Sequence, residues 1–309
     1  MSETIQPINS ATPATATWKA WIKTARPFTL TATLSPLLVG TAVAADEGIF
    51  HPLNFLLSLL AGLFLQIGTN YFNEYFDYRY GLDSSESLGA STVIFRGAMS
   101  ARQVFGGGLA CFGLATLLSL GLIYLVGPAI ILFGVIGMAI AYFYSARPFT
   151  LARRGLGDIM VYLAMGLLMT WGAYYAQIQR WDWLVFVASV PVGLLVTAIL
   201  NMNNVRDYQE DRLVHKLTLP VRFGQTFGVW YHTCLLFGSY LAVTIFVIAR
   251  LLPVYSLLVW ITFPLAFLNV RSILSATDRK AFVVGIKRTS ALHLQFGVML
   301  AIALLLTRL

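Results

Sequence analysis

The sequence predicts an all-α membrane protein of about nine transmembrane helices, and three observations carry that expectation. Of 309 residues, 58% are hydrophobic and only 11% charged, with a mean hydropathy of +0.75, a balance outside the range of soluble domains. Apolar stretches of about 18 residues or more recur along the chain, each sufficient to cross a hydrocarbon core roughly 30 Å thick. Lysine and arginine, finally, are distributed unevenly between the connections on the two sides of those stretches.

Taken in order, residues 1–17 are rich in Ser, Thr, Ala and Pro and lack a basic start, so they read as a disordered tail. Residues 18–309 read as a single transmembrane domain. Its first element, Trp18-Lys19-Ala20-Trp21-Ile22-Lys23, has the pattern of a short helix lying in the membrane interface. The spans follow near residues 28–46, 52–76, 104–125, 128–145, 158–178, 183–203, 227–248, 252–270 and 290–307. The third and fourth are divided at Gly127-Pro128, because an undivided segment of about 40 apolar residues is too long for one crossing.

Nine spans put 18 of the 21 Lys and Arg on one side, leaving Arg180, Arg250 and Arg308 on the other. The positive-inside rule makes the crowded side cytoplasmic, together with the amino terminus, in a bacterial-type inner or plasma membrane. Basic loops beside anionic headgroups account for the net charge of +8 without a nucleic-acid partner. Cys111 and Cys234 fall within spans and lack metal-ligand spacing, so both read as apolar filler. His51, His232 and His293 are widely separated and read as core or loop residues. Gly106-Gly107-Gly108 opens a span without the Lys-Ser/Thr tail of a phosphate loop, and its small residues suit close helix packing.

Acids are scarce, and their placement is informative. Seven of the thirteen Asp and Glu lie in or beside two clusters: residues 70–83, with Asn70, Asn73, Glu74, Asp77 and Asp83 and with Glu86 just beyond, and residues 203–211, with Asn203, Asn204, Arg206, Asp207, Glu210 and Asp211. Each cluster follows an apolar span, both fall on the basic side, and a spacing of four sets Asn73 with Asp77 and Asn203 with Asp207 and Asp211 on common helical faces. Each is followed by a loop of about 20 residues, long enough to cap a polar site. Hard divalent cations such as Mg2+ take oxygen ligands and are commonly held by one or two carboxylates plus substrate phosphates. Two such sets suit ions bridging a diphosphate, with Lys216, Arg206, Arg147 and Arg96 taking further phosphate oxygens. Either cluster alone reads as acids paired with neighbouring arginines in solvated loops; two on the same side, each entered from an apolar span and led by Asn, reverse that reading.

The first cluster resembles the Asn-Asp-x-x-Asp motif of the UbiA superfamily of intramembrane prenyltransferases, and Asp207, Asp211, Lys216, Thr218 and Leu219 resemble its second Asp-rich motif. The resemblance runs from Arg26-Pro27-Phe28-Thr29-Leu30 to the Thr289–Gly297 stretch. Three features are similar to the 1,4-dihydroxy-2-naphthoate polyprenyltransferases of menaquinone synthesis: the Asp77 to Asp83 spacing, Tyr144-Ser145-Ala146-Arg147-Pro148 leading to Gly155-Leu156-Gly157-Asp158, and Ala291-Leu292-His293-Leu294.

The resemblance implies helices around a central cavity, cytoplasmic cap loops, Mg2+ as cofactor, and transfer of a polyprenyl group from its diphosphate to an aromatic ring within the lipid. It implies Asn73, Asp77, Asp207 and Asp211, with Asp83, as metal and diphosphate ligands. Lys216 contacts the diphosphate and Tyr144 lies by the allylic carbon. Asn203, Arg147, Arg206, Arg96 and Tyr71 are further substrate-binding candidates, and Tyr75 and Tyr142 are candidate cavity aromatics. Two positions depart from the pattern: Glu74 stands where the family has Asp, and His215 replaces a Gly before Lys216. Asp158 is placed to cap the start of the fifth span. The expected reaction is decarboxylative C-prenylation of the naphthoate through an allylic cation. Other acceptors (4-hydroxybenzoate, homogentisate, a chlorophyll precursor, a glycerol lipid) and a non-catalytic lipid-binding or transport relative remain as alternatives.

Overall fold

The computed structural model describes residues 16–82, 92–276 and 278–308, and every regular element among them is a helix. α1 (Trp18–Ala25) meets α2 (Thr31–Asp46) at a bend of 47°. The turn is made at Arg26, with φ of 51°, just before Pro27. α3 (Pro52–Arg79) starts on a proline, which lacks only an N–H that a first turn leaves unpaired. α4 (Ala101–Val126) opens with a reciprocal cap: Gln103 N donates to Ser100 Oγ at 3.1 Å and Ser100 N to Gln103 Oε1 at 2.9 Å. It ends at Gly127, whose φ of 98° lets the chain turn into Pro128, and α5 (Ile130–Phe143) begins.

α6 (Gly157–Ile178) and α7 (Trp183–Arg206) come next, α7 capped by the Asp182 carboxylate on Leu184 N at 2.6 Å. Two short helices, α8 (Tyr208–Leu213) and α9 (Leu219–Phe223), lie over the end of the bundle. Then follow α10 (Gln225–Ile248), α11 (Val254–Leu274, its first turns 3-10) and α12 (Arg279–Leu305), the last capped by Asp278 on Ala281 N at 2.9 Å.

Seven of these helices are long and apolar enough to cross a membrane, or eight with the bent α1–α2 pair taken as one span. The expected count of nine is therefore not reached among the described residues on length and apolarity. The segment that differs is α5, whose 14 residues rise only about 21 Å. The predicted break at Gly127-Pro128 is present.

α7 sits at the centre and is the most buried span, packed by α2, α10 and α12, while α3 pairs with α4 at one side. Between helices in lipid the contact comes from close packing of small residues. A Cβ on Gly166 of α6 would lie 2.5 Å from the Cα of Gly193 on α7, so the two backbones touch there. The same stretch, Tyr162–Leu168, is a π-helical turn. Large side chains facing outward from α4, α5, α10 and α11 (Leu117, Val135, Leu241 and Ile261, for example) are exposed, as lipid-facing positions are.

Candidate active site

The ends of α3 and α7 deliver the two acid clusters to one place. A pocket of about 130 Å³ is lined by Asn73, Asp77, Tyr144, Asn203, Arg206, Asp207, Asp211 and Lys216, all expected from the sequence, together with Arg26, Glu74, Ser145, Arg153, Asn204 and Glu210. The two principal carboxylate sets thus meet although some 130 residues separate them in sequence. Asp77 lies in the last turn of α3 and Asp207 directly follows α7, so the negative ends of both helix dipoles point at the pocket. Such ends disfavour carboxylates and favour whatever cation neutralises them.

The cations are already close. Arg206, 6% exposed, grips Asp207 with both nitrogens, Nε to Oδ1 at 2.7 Å and Nη2 to Oδ2 at 2.5 Å. Arg279 at the start of α12 ion-pairs with Glu210 at 2.5 Å and lies 3.9 Å from Asp207 Oδ1. Burial opposes charge on Asp207, but Arg206, Lys216 and Arg279 outweigh it and hold the carboxyl below its usual range. Lys216 Nζ lies 3.2 Å from Asp211 Oδ1. Burial disfavours the ammonium, yet Asp211, Asp77 and Asp207 keep it protonated well above neutral pH. Asp211 goes the other way: burial pushes its carboxyl up to about 6, against the pull of Lys216, and Asp207 and Asp77 add repulsion.

Helical geometry holds the second cluster only in part. The chain breaks at Asp207 (φ −92°, ψ 10°), but Asp211 N still donates to Asp207 O at 2.8 Å, so α8 continues the register that brings both carboxylates to the pocket. The return to Lys216 passes through His215 at φ 54°, the left-handed region where glycine is favoured. The missing glycine therefore has a backbone meaning, and the exposed imidazole is borne by the same turn. Two loops are then latched together: Leu217 N donates to Arg153 O at 2.9 Å, Arg153 to Val214 O at 3.0 Å, and Arg222 to Arg154 O at 2.7 Å.

Several expected residues make contacts at the edge of the pocket or away from it. Tyr71 gives its hydroxyl to Trp21 O at 3.0 Å and packs edge-on to the Trp21 ring, joining α3 to the interfacial helix. Arg96 Nε donates to Thr92 Oγ1 at 2.9 Å. Arg147 lies over the Tyr80 ring at 5.7 Å and is not among the pocket residues. Tyr75 and Tyr142 pack with Phe72, Phe76 and Phe105 in an aromatic cluster between α3, α4 and α5. Glu74 is buried and accepts from Thr92 N at 3.1 Å and Ile94 N at 3.2 Å, which ties the following loop down. Asp158 lies inside the first turn of α6 instead of at its cap, with Oδ1 buried and without a hydrogen bond. Asp83 falls outside the described residues.

Arg26 and Arg153 are the pocket cations that sequence reasoning did not assign. Arg26 sits at the α1–α2 bend, next to the Pro27 that starts the resemblance, and Arg153 is placed by stacking on the Tyr80 ring at 5.1 Å. Ser145 directly follows Tyr144 and donates to Asn73 Oδ1 at 3.1 Å, joining the end of α5 to α3.

The oxygen donors suit a hard divalent cation. Among the described residues no three acidic, His or Cys side chains form a ready-made metal cage. Asp211 Oδ2 is nonetheless buried without a hydrogen-bond partner, an acceptor waiting for a donor or cation. Below the pocket, Arg26, Asn73, Tyr144, Leu200 and Asn203 also line a second, largely apolar cavity of about 170 Å³.

A charged pocket at one end of a helical membrane bundle, sharing a wall with an apolar cavity, is the arrangement of a membrane-embedded site for a ligand with a charged head and an apolar body. The chain belongs to the UbiA prenyltransferase family, which it matches over residues 33–306. It is 30% identical over 282 residues to the 1,4-dihydroxy-2-naphthoate octaprenyltransferase of Bacillus subtilis, covering 91% of each chain. Its identity to the Escherichia coli protein of the same name is 32% over 287 residues, covering 88% of this chain and 90% of that one. The fold matches an apo UbiA homologue from Aeropyrum pernix with a TM-score of 0.66 at 16% identity, over 90% of this chain and 98% of that one. A UbiA homologue from Archaeoglobus fulgidus, solved bound to GPP and Mg2+, matches with a TM-score of 0.61 at 18% identity, over 91% of this chain and 99% of that one. The protein is thus a prenyltransferase embedded in the membrane.

Proposed function

We propose that the protein transfers a polyprenyl group from its diphosphate to 1,4-dihydroxy-2-naphthoate, with Mg2+ as cofactor, in menaquinone synthesis. The observation that carries the chemistry is the meeting of Asp77, Asp207, Asp211 and Lys216 in one pocket that shares Asn73, Tyr144 and Asn203 with an adjoining apolar cavity. A molecule with a polyanionic head and a long apolar tail fits that arrangement. The naphthoate is supported by relatives of that activity at 30–35% identity.

Asn73, Asp77, Asp207 and Asp211 are the residues to hold Mg2+, which when bound neutralises charge on the departing diphosphate. Lys216, Arg26 and Arg153 bind the remaining phosphate oxygens. Tyr144 lines both cavities, which supports a role for it beside the allylic carbon, where head meets tail. The carbon–oxygen bond breaks with its electron pair going to the diphosphate. The apolar walls exclude water, so the allylic cation survives until the naphthoate reacts. The ring carbon bearing the carboxylate donates its electron pair to form the new carbon–carbon bond. The carboxylate leaves as carbon dioxide and returns its bonding pair to the ring. The charge distribution of the loops supports a cytoplasmic pocket and amino terminus.

The test is an assay of purified protein in detergent with Mg2+, octaprenyl diphosphate, and the naphthoate beside 4-hydroxybenzoate. Prenylated naphthoate and carbon dioxide are expected, with EDTA stopping the reaction and Mg2+ restoring it. Asp77→Ala is expected to keep the fold and lower turnover by about 100-fold or more. Turnover of the benzoate alone would discard the naphthoate, and EDTA-resistant turnover would sink the metal requirement.

A further inference from the structure

Along α3, Gly62, Gln66, Asn70 and Asn73 recur at intervals of three and four, and all of them line the apolar cavity beside the charged pocket. Gln66 lies about 10 Å of helix back from Asn73, further from Asp77. It is a polar amide in a wall that also holds Leu65, Ile140 and Val196.

The cavity's other amides are occupied. Asn70 Nδ2 donates to Ala25 O at 2.9 Å and to Thr29 Oγ1 at 3.1 Å. Asn73 Oδ1 accepts from Ser145, and Asn203 Nδ2 donates to Ile199 O at 2.9 Å. Thr69 turns its hydroxyl back to Leu65 O at 2.7 Å. Among the described residues the Gln66 amide has no hydrogen-bond partner. An unpaired amide in an apolar wall destabilises the empty protein and favours a ligand that carries hydrogen-bonding atoms into the hydrocarbon. A polyprenyl chain has none. A hydroxyl on an aromatic ring serves in both directions, donating to the amide oxygen or accepting from the amide nitrogen. The α6 side of the cavity suits a ring as well: Met160, Met165 and Met169, three of the chain's eight methionines, line it. Thioethers are polarisable, adapt their shape and contact aromatic rings favourably.

We propose that Gln66 hydrogen-bonds a ring hydroxyl of the aromatic acceptor, and that it thereby selects a dihydroxylated ring. The inference rests on the naphthoate reading above and assigns to Gln66 the 4-hydroxyl. The carbon bearing the carboxylate reacts at the charged end of the cavity, where Tyr144 lines both spaces. The adjacent 1-hydroxyl stays at that end, and the 4-hydroxyl, across the ring, is the one carried toward Gln66. An acceptor with a single hydroxyl, such as 4-hydroxybenzoate, leaves the amide unpaired. Gln66 makes and breaks no covalent bond in this role; it holds the ring.

The test compares 1,4-dihydroxy-2-naphthoate with 1-hydroxy-2-naphthoate, which lacks the second hydroxyl, in wild type, Gln66→Met and Gln66→Leu. The second hydroxyl makes the ring more electron-rich in every one of these proteins, so the readout is the change in the ratio of the two kcat/KM values. Both variants are expected to lower that ratio by about tenfold, through the dihydroxy acceptor, with KM for the prenyl diphosphate unchanged. Without ligands both should melt no lower than wild type, because the substitution removes an unpaired amide. An unchanged ratio, an equal loss with both acceptors, or a change confined to the diphosphate KM would overturn the role of Gln66 and leave the naphthoate reading standing. A lower melting midpoint in both variants would show the amide to be paired within the fold, and would overturn it too. A wild-type protein that prenylates neither naphthoate overturns the acceptor reading itself, and this inference with it, before any variant is compared.

Discussion

At the scale of single residues, the pocket holds carboxylates in opposed states. Asp207 is kept charged by the two-pronged Arg206, while Asp211 is buried deeply enough for its carboxyl to titrate at about 6. An unfolded aspartate titrates at about 3.9, so the fold favours the protonated Asp211. Without divalent ions, stability is therefore expected to fall as pH rises from about 4 to about 6, by on the order of 2–3 kcal/mol. Thermal midpoints across that range check this, and Asp211→Asn should make the fall shallower; an unaltered slope in the variant would remove Asp211 as a source of it. His215 offers a second test. Its φ of 54° disfavours branched side chains, so His215→Val should be less stable than His215→Gly by about 1–2 kcal/mol in denaturation. The sequence showed that a glycine was missing there, but only the backbone angle says why one belongs.

At the scale of elements, α6 and α7 meet where neither has a side chain. The Gly166–Gly193 approach leaves no room for a Cβ, so Gly166→Ala must part the helices or shift the π-helical turn. A loss of about 1–3 kcal/mol is expected in thermal unfolding, with a drop in transfer rate, because α7 carries Asn203 and leads into Asp207. Wild-type stability in the alanine variant would mean that the contact is looser than its geometry. Spans were legible from apolar length, whereas the one cap expected from the sequence, Asp158, lies inside the first turn of α6. The site was legible where a motif and a helix terminus coincide, as at Asp77. It was less legible for Arg147, Arg96 and Tyr71, which do not line the pocket and whose positions depend on which ring or carbonyl the fold brings near; Arg153, from the same loop as Arg147, does line it, although both arginines lie over Tyr80.

At the scale of the molecule, the charged pocket lies at one end of the bundle and the aromatic group Trp171, Trp181, Tyr175 and Phe133 lies toward the other. On the nine-span reading of the sequence, 18 of the 21 Lys and Arg share a side with both acid clusters. A pocket facing the cytoplasm makes a clear prediction. In a variant with Cys111 and Cys234 replaced, a cysteine at the exposed Leu213 should react with an impermeant thiol reagent only from the cytoplasmic side, and one at the exposed Trp181 only from outside. The reverse pattern would invert the topology.

The sequence by itself determined the class of protein, the approximate spans, and the carboxylates and lysine that meet in the pocket. Apolar length, the scarcity of acids and their spacing along helices are local properties of the chain. Tertiary structure alone decided which cations line the pocket, that α5 is shorter than the other long apolar helices, and that the pocket lies beside an apolar cavity. Those outcomes depend on contacts between segments far apart in sequence, such as Ser35 with His293 and Gly166 with Gly193. A cavity is the space that such packing leaves unfilled, and no local pattern of residues encodes it.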